Sequence, residues 1–235
     1  MAEPPGLASG ALRPRLEPVQ ARSRRNRRNI LDAAHALLKA QGVHKLTTSA
    51  IAAASGVSVG ALYRFFPNKE SIICRLYEEK LNAIRLSGAE SRPSDPANMS
   101  WRDYFGGLFR ALKGAERKVD FDFSLFNAVF TLPELARIDL RHGVAIADAI
   151  AADMKLLGSR WSDEALFDLA VHLYALDFST WMCWRYAGRY SVRAVDRAIE
   201  ASLAVMRPAM EGEPEPRGAA ITRASLLAEL SGPNA

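Results

Sequence analysis

Apolar residues along this chain recur at helical spacing. Between Ile30 and Leu38 they fall at positions i, i+3, i+4, i+7 and i+8, the pattern of an amphipathic helix that buries one face. No segment shows the alternation that marks a strand bounded by turns. The pattern predicts an all-α protein.

The first 90 residues contain signals for several short helices close together. Gly42 ends the first predicted helix, and Thr48 is expected to cap the second. The turn at Ser55-Gly56 leads to Ser58, which can cap a third helix over 59–66, and a fourth begins near Lys69. Short helices joined by a tight glycine turn predict an N-terminal three-helix helix-turn-helix domain.

The third helix has two different faces. Leu62 and Phe66 lie four residues apart and are predicted to pack inward. The other face is small at its start and then aromatic and basic, which suits a helix whose N-terminal end approaches base edges. That face comprises Ser58, Val59, Gly60, Ala61, Tyr63, Arg64 and Phe65.

Longer helical patterns follow a proline-containing linker at 91–98. These helices are expected over 101–117, 121–131, 133–157, 163–187 and 192–210. We predict a disordered basic arm at 1–23, the helix-turn-helix domain at 24–84, a helical-bundle domain at 85–210, and a flexible tail at 211–235. A short amphipathic helix is possible in the tail, through Ile221, Leu226, Leu227 and Leu230.

Charge is concentrated at one end of the chain. Residues 1–69 carry eleven Lys or Arg and three Asp or Glu, a net charge of +8, although the whole chain has a net charge of only +5. A local positive field indicates a polyanionic partner at the N-terminal third. No apolar segment is long enough to span a membrane and no signal peptide is evident, so a cytoplasmic location is expected.

Candidate chemistry elsewhere is sparse. Cys74 and Cys183 are too few for a disulfide framework or a metal cluster, so we interpret them as buried thiols, with a redox switch as the alternative. No histidine pair has metal-site spacing, and no phosphate loop, nucleophile elbow or HExxH motif is present. We therefore expect no cofactor, no metal and no enzymatic activity.

The stretch "TTSAIAAASGVSVGALYRFFPNKESII" resembles the DNA-binding domain of the TetR family of transcriptional regulators. The likeness covers about residues 24–84. The shared features are the threonine before the second helix, the Ala-Ser-Gly-Val-Ser turn, Gly60, the Leu-Tyr pair, Phe66 and the Asn-Lys-Glu start of the fourth helix. Beyond residue 84 only the architecture is similar.

The resemblance implies a homodimeric repressor that a small molecule releases from a palindromic DNA operator. It places Thr48, Tyr63 and Lys69 on phosphates, with Thr47 beside them, and residues 58–61 at the bases of the major groove. Arg64 and Phe65 stand where the family often has histidine or another aromatic residue, so the operator sequence is left undetermined. An activator on the same scaffold is equally compatible with these residues.

Two of the DNA-contact assignments have an ordinary structural alternative. Arg24, Arg25, Arg27 and Arg28 could neutralise phosphates or enter the minor groove, or could only solubilise the chain. Tyr63 could be a partly buried core residue, although Leu62 and Phe66 already fill the inward face.

Aromatic residues in the second domain suggest an apolar or aromatic ligand, held in an apolar pocket with a few polar anchors. Core packing is the alternative for each of them, and a structural role is the alternative for His142 and for His172. The candidate lining residues are Trp101, Phe105, Phe109, Phe126, Phe130, His142, Tyr174, Asp177, Phe178 and Trp181.

The helix over 163–187 is apolar on nearly all sides, which exceeds what one buried stripe requires. We predict that one face packs in the domain core and the other meets a second copy of the chain, with complete internal burial as the alternative. A nonspecific DNA-architectural protein is the main competing function, because it would explain the basic third without a pocket.

Overall fold

The computed structural model describes residues 16–120, 123–188 and 190–231, and these residues form helices joined by turns, with no strand among them. The prediction of an all-α protein with an N-terminal helix-turn-helix is confirmed. The α-helices are α1 Leu16–Gln41, α2 Thr48–Ser55, α3 Val59–Phe65, α4 Lys69–Glu90, α5 Trp101–Lys118, α6 Phe123–Val129, α7 Pro133–Leu156, α8 Asp163–Ala187, α9 Val192–Met210 and α10 Arg223–Ser231.

The predicted arm and tail both contain helix. Helix α1 begins at Leu16, so residues 16–23 are helical, whereas we expected them to be disordered. The remainder of that arm, 1–15, lies outside the described residues. At the other end, α10 folds back on α7 through an ion pair between Arg223 and Asp148. The Ile221 N–H also donates to Asp168 at 2.7 Å, so residues 221–231 are docked where we expected a flexible tail.

Side-chain caps define the short helices of the helix-turn-helix. Thr47, rather than the expected Thr48, caps α2, because its hydroxyl accepts from the N–H of Ala50 at 3.2 Å. Gly56 ends α2 in the left-handed region at φ 68°, which explains the need for glycine there. Ser58 caps α3 as predicted.

The core of the helix-turn-helix does not stop at residue 84. Ile51, Leu62 and Phe66 are buried between α1 and α4. The same cluster continues without a break into Leu125 of α6 and Leu135 of α7. The N-terminal unit therefore shares its core with the start of the bundle.

A second core lies between α5, α7, α8 and α9 and includes Phe105, Met154, Leu173 and Leu203. The inward face of α8 is buried there, and the predicted bounds of α8 and α9 agree with the structure. The outer face of α8 is exposed at His172, Ala175, Ser179, Met182 and Tyr186, so complete internal burial does not occur.

Two further properties concern the described part of the chain. No helix in it is long and apolar enough to cross a membrane. Cys74 is half-buried against the first core, whereas Cys183 is exposed, contrary to the expectation that both thiols are buried. Burial, together with Glu134, Glu78 and Glu70, raises the pKa of Cys74 to about 11, which disfavours its thiolate.

Candidate functional sites

Helix α3 presents an exposed polar and small-residue face. Ser58, Val59 and Gly60 are exposed at its N-terminal end, and Tyr63 and Arg64 lie further along, with Tyr63 50% exposed. The exposure of Tyr63 argues against the alternative that it belongs to the core. This face is open to a partner along the length of the helix.

Two residues of the predicted face are less exposed to solvent than the sequence indicated. Ala61 and Phe65 are half-buried and pack partly against the first core. Both also line an open groove between α3 and the start of α1, together with Arg22 and Asn26. The beginning of α1 therefore lies beside the recognition face of α3.

The three residues predicted to contact phosphates, Thr48, Tyr63 and Lys69, lie on α2, α3 and α4. The hydroxyls of Thr48 and Tyr63 are hydrogen-bonded to each other at 3.1 Å. Lys69 opens α4, where the side chain of Asn68 accepts from the N–H of Ser71 at 2.8 Å and completes a capping box. The hydroxyl pair can bind an anion, and the N-terminus of α4 with its lysine can do the same.

The arginines of α1 do not all have the same freedom. Arg24, Arg25 and Arg27 are exposed. Arg28 is also exposed, but its guanidinium lies 3.0 Å from Asp32 and 3.8 Å from Glu79 of α4. Part of its charge is therefore already neutralised within the protein.

A cavity lies in the helical bundle, between α4, α5, α7, α8 and α9. It is partly open to solvent. A smaller cavity adjoins it toward α4 and α6 and shares five of its lining residues. The shared residues are Ile84, Glu116, His142, Tyr174 and Asp177.

Most of the predicted pocket residues line one of these two cavities. They are Phe109, Phe126, His142, Tyr174, Asp177, Phe178 and Trp181. Trp101 instead packs on the second core beneath Arg102, and Phe105 is fully buried in that core. Phe130 is 70% exposed because it follows the end of α6, so it does not line the cavity.

A hydrogen-bonded network connects α4 to the cavity wall. The hydroxyl of Tyr77 in α4 donates to Asp139 of α7 at 2.6 Å, and the hydroxyl of Tyr174 in α8 donates to the same oxygen at 3.0 Å. Burial raises the pKa of Asp139, whereas the two tyrosine hydrogen bonds oppose that increase. Asp139 was not predicted, because it occupies an ordinary position on an amphipathic helix.

A second polar group in the cavity joins the predicted Asp177 to Lys113 and Glu116, which were not predicted. The ammonium of Lys113 lies 3.0 Å from Glu116 and is ion-paired with Asp177. Burial lowers the pKa of Lys113, but Asp177 and Glu116 outweigh burial and hold it above its usual value. Burial and Asp177 together raise the pKa of Glu116 to about 8, despite the attraction of Lys113. A lysine and a glutamate three residues apart are common on exposed helices, so spacing alone gave no signal.

His142 belongs to the cavity wall rather than to a metal site. Burial, followed by the nearby Arg85, lowers the pKa of His142 to about 4, so its imidazole is neutral near pH 7. Its ring contacts Tyr174 edge-on, with centroids 6.0 Å apart. Among the described residues no group of three or more His, Cys, Asp or Glu could hold a metal ion.

The fold and the first site define a helix-turn-helix protein with an attached helical bundle. Residues 30–76 match the family model described as bacterial regulatory proteins, tetR family. The TetR-family transcriptional regulator from Streptomyces coelicolor has a similar fold, with a TM-score of 0.59 and 20% identity over 78% of this chain and 99% of that one. The family match therefore lies in the N-terminal helix-turn-helix region, residues 30–76, and the similar fold extends over most of the chain.

Two curated proteins match only the N-terminal region. The fatty acid metabolism regulator protein of Bacillus subtilis is 40% identical over 52 residues, which are 22% of this chain and 27% of that protein. The nucleoid occlusion factor SlmA of Photorhabdus laumondii is 43% identical over 63 residues, which are 26% of this chain and 32% of SlmA. The chain therefore matches about a third or less of the length of these relatives.

Proposed function

We propose that this protein is a cytoplasmic, sequence-specific DNA-binding transcriptional regulator with no catalytic activity. The exposed face of α3 carries the proposal, because its exposed start and the adjacent cationic surface have the layout of a recognition helix. The net charge of +8 on residues 1–69 supplies the attraction to phosphate.

Within this proposal, the DNA contacts divide into two groups. Residues 58–61 and Arg64 approach base edges in the major groove, where they confer sequence preference. Thr47, Thr48, Tyr63 and Lys69 hold phosphates and fix the position of α3. Phe65 contributes through packing at the edge of the groove, because it is half-buried.

A homodimer is part of the same proposal. The exposed face of α8 is small or apolar at Ala175, Met182 and Tyr186, the last 81% exposed. Pairing this face and the adjacent α9 with a second copy would form a four-helix interface. Two recognition helices would then meet a palindromic operator with half-sites about 34–36 Å apart.

Repression with release by a small-molecule effector is the regulatory mode that we propose. The cavity is adjacent to α4, which begins at Lys69 beside α3 and carries Tyr77 at the cavity network. A ligand that favours a different position of α4 would shift the population away from the DNA-binding arrangement. An activator would use the same elements, and a nonspecific architectural protein would need no cavity.

The proposal is tested by titrating the protein onto the DNA that flanks its own gene, at two salt concentrations, with random DNA as competitor. Protection of a palindromic site, with retained binding against competitor, supports a sequence-specific dimeric regulator. Equal affinity for random DNA contradicts it and favours the architectural function.

The arginines of α1 should set part of the salt dependence. We expect replacing Arg24, Arg25 and Arg27 by glutamine to reduce the slope of log affinity against log salt by up to about 0.9 per residue. Arg28→Gln is the matched control, because its guanidinium already faces Asp32 and Glu79. An unchanged slope in the triple variant would mean that α1 does not contact DNA.

Tyr63→Phe should weaken binding to every DNA sequence by about tenfold, because a hydroxyl bonded to a charged phosphate is lost without loss of the ring. Competition experiments measure the affinity of the variant for the operator and for random DNA. Ser58→Ala, by contrast, should change the ranking of operator variants. A loss with Tyr63→Phe that is confined to particular bases would contradict the phosphate role.

A further inference from the structure

The wall where the two cavities meet carries more negative than positive side chains. One ammonium, that of Lys113, faces two carboxylates, those of Glu116 and Asp177. The side chains of Lys113 and Glu116 are only 5% and 11% exposed, whereas that of Asp177 is 36% exposed, so water screens the buried part of this cluster weakly. With every group ionised, these three residues carry a net charge of −1.

Aromatic rings form the adjoining wall. Phe126 stacks on Trp181 with centroids 5.6 Å apart and an interplanar angle of 11°, and Phe178 lies 5.1 Å from Phe126. The ammonium of Lys113 lies 5.8 Å from the Trp181 centroid and 5.7 Å from that of Trp184. The faces of such rings attract cations because of their quadrupoles.

We propose that the cavity binds a monovalent organic cation with an aromatic or branched apolar body, and that Glu116 and Asp177 neutralise its charge. This inference deepens the proposed function, because it rests on the cavity being the effector site. The sequence indicated an apolar or aromatic effector, and the charges of the cavity restrict this class to molecules that also carry one positive charge.

Competing ligand classes fit the charges less well. An anionic ligand would have to take Lys113 from two carboxylates that already pair with it. A neutral apolar ligand would leave the carboxylates as they are and gain nothing from them. A cation, by contrast, would give the two carboxylates a second positive partner besides Lys113.

When no cation is bound, a proton on Glu116 can neutralise the cluster instead. With its pKa raised to about 8, Glu116 is mostly protonated near pH 7, and the cluster of Lys113, Glu116 and Asp177 is then neutral. A bound cation favours the carboxylate form of Glu116, so binding releases a proton. Cation affinity should therefore rise by up to about tenfold per pH unit from pH 6 to pH 8 and level off above.

Other titratable groups also face Glu116 or its cavity. Lys113 lies on the same helix, Tyr77 lies on α4, His142 and Asp139 lie on α7, and Tyr174 and Asp177 lie on α8. The lowered pKa of His142, about 4, and the raised pKa values of Lys113, Tyr77 and Tyr174 keep these four groups from titrating between pH 6 and 8. Asp139 is unchanged in Glu116→Gln, so any pH dependence of cation affinity that remains in this variant can be attributed to Asp139 and not to Glu116.

The test compares three probes of similar shape by calorimetry: benzyltrimethylammonium, its neutral isostere neopentylbenzene, and phenylacetate. Each is titrated into the full-length protein and into Glu116→Gln and Asp177→Asn. Glu134→Gln, a variant of an exposed carboxylate outside the cavity, is the matched control. Titrations in buffers of different ionisation enthalpy count the protons released.

We expect the cation to bind more tightly than phenylacetate and to release a proton at pH 7. Glu116→Gln should abolish both the proton release and the pH dependence, and should lower cation affinity about tenfold at pH 8 without changing that of neopentylbenzene. Equal loss for cation and neutral probe, tighter binding of phenylacetate, or no cation binding would overturn the inference. Binding to the DNA that flanks the gene, measured on the same samples, reports separately on the proposed function.

Discussion

Leu62→Ala is expected to lower the free energy of unfolding by about 2 to 5 kcal/mol, because the leucine is fully buried and alanine leaves a cavity. Leu62 and Phe66 anchor α3 in the first core, so the recognition face should lose its fixed position at the same time. Denaturant unfolding measures the stability loss, and DNA titration measures the loss of binding.

Tyr63→Ala is the matched control, one residue further along α3. Its side chain is exposed, so the free energy of unfolding should change by about 0.5 kcal/mol or less while DNA binding weakens. If Leu62→Ala bound DNA normally, or Tyr63→Ala unfolded as easily as Leu62→Ala, our separation of the two faces of α3 would be wrong.

Sequence predicted the helix-turn-helix well because local chemistry determines its boundaries. Gly56 is required by a positive φ, Ser58 and Asn68 supply caps, and the spacing of Leu62 and Phe66 determines which face is buried. Each of these signals acts within a few residues. The error at Thr47 and Thr48 arose because two adjacent threonines carry the same capping signal.

The cavity was predictable only in part, because its walls come from distant helices. Aromatic content identified Phe126 and Trp181 as pocket residues, but it could not separate these rings from Phe105, which is core, or from Phe130, which is exposed. Lys113 and Glu116 became distinctive only when folding brought Asp177 of α8 to them. Long-range packing of this kind leaves no periodic pattern in a single sequence.

Contacts other than those of Tyr77 in α4 also connect the helix-turn-helix to the helical bundle. Lys80 of α4 donates to the carbonyl of Asp120 at 3.0 Å, and Lys39 of α1 pairs with the Asp120 carboxylate at 2.8 Å. Asp120 follows the end of α5, the helix that carries Lys113 and Glu116. A change at the cavity can therefore reach the DNA-binding unit through α5 as well as through Tyr77 of α4.

Tyr77→Phe is expected to destabilise the protein by about 1.5 to 3 kcal/mol near pH 7, because it removes a hydrogen bond to the buried Asp139. The pKa of Asp139 is already raised by burial, so its ionisation costs stability as pH rises through that pKa. Loss of Tyr77 raises the pKa further and increases this cost. The deficit should therefore be larger at neutral pH than in acid, which denaturant unfolding at several pH values measures.

Tyr104→Phe provides the comparison on the far side of the bundle. Tyr104 is buried and bonds to Asp153, but Asp153 keeps an ion pair with Arg92 at 2.9 Å. Loss of the Tyr104 hydroxyl should therefore reduce the free energy of unfolding by less than loss of the Tyr77 hydroxyl, because Asp153 keeps its charged partner. In Tyr77→Phe, by contrast, Asp139 keeps only Tyr174 of its two tyrosine partners. Equal deficits in the two variants, or a Tyr77→Phe deficit that does not change with pH, would mean that the Tyr77 hydrogen bond does not lower the pKa of Asp139. The tyrosine would then link α4 to the cavity by packing alone.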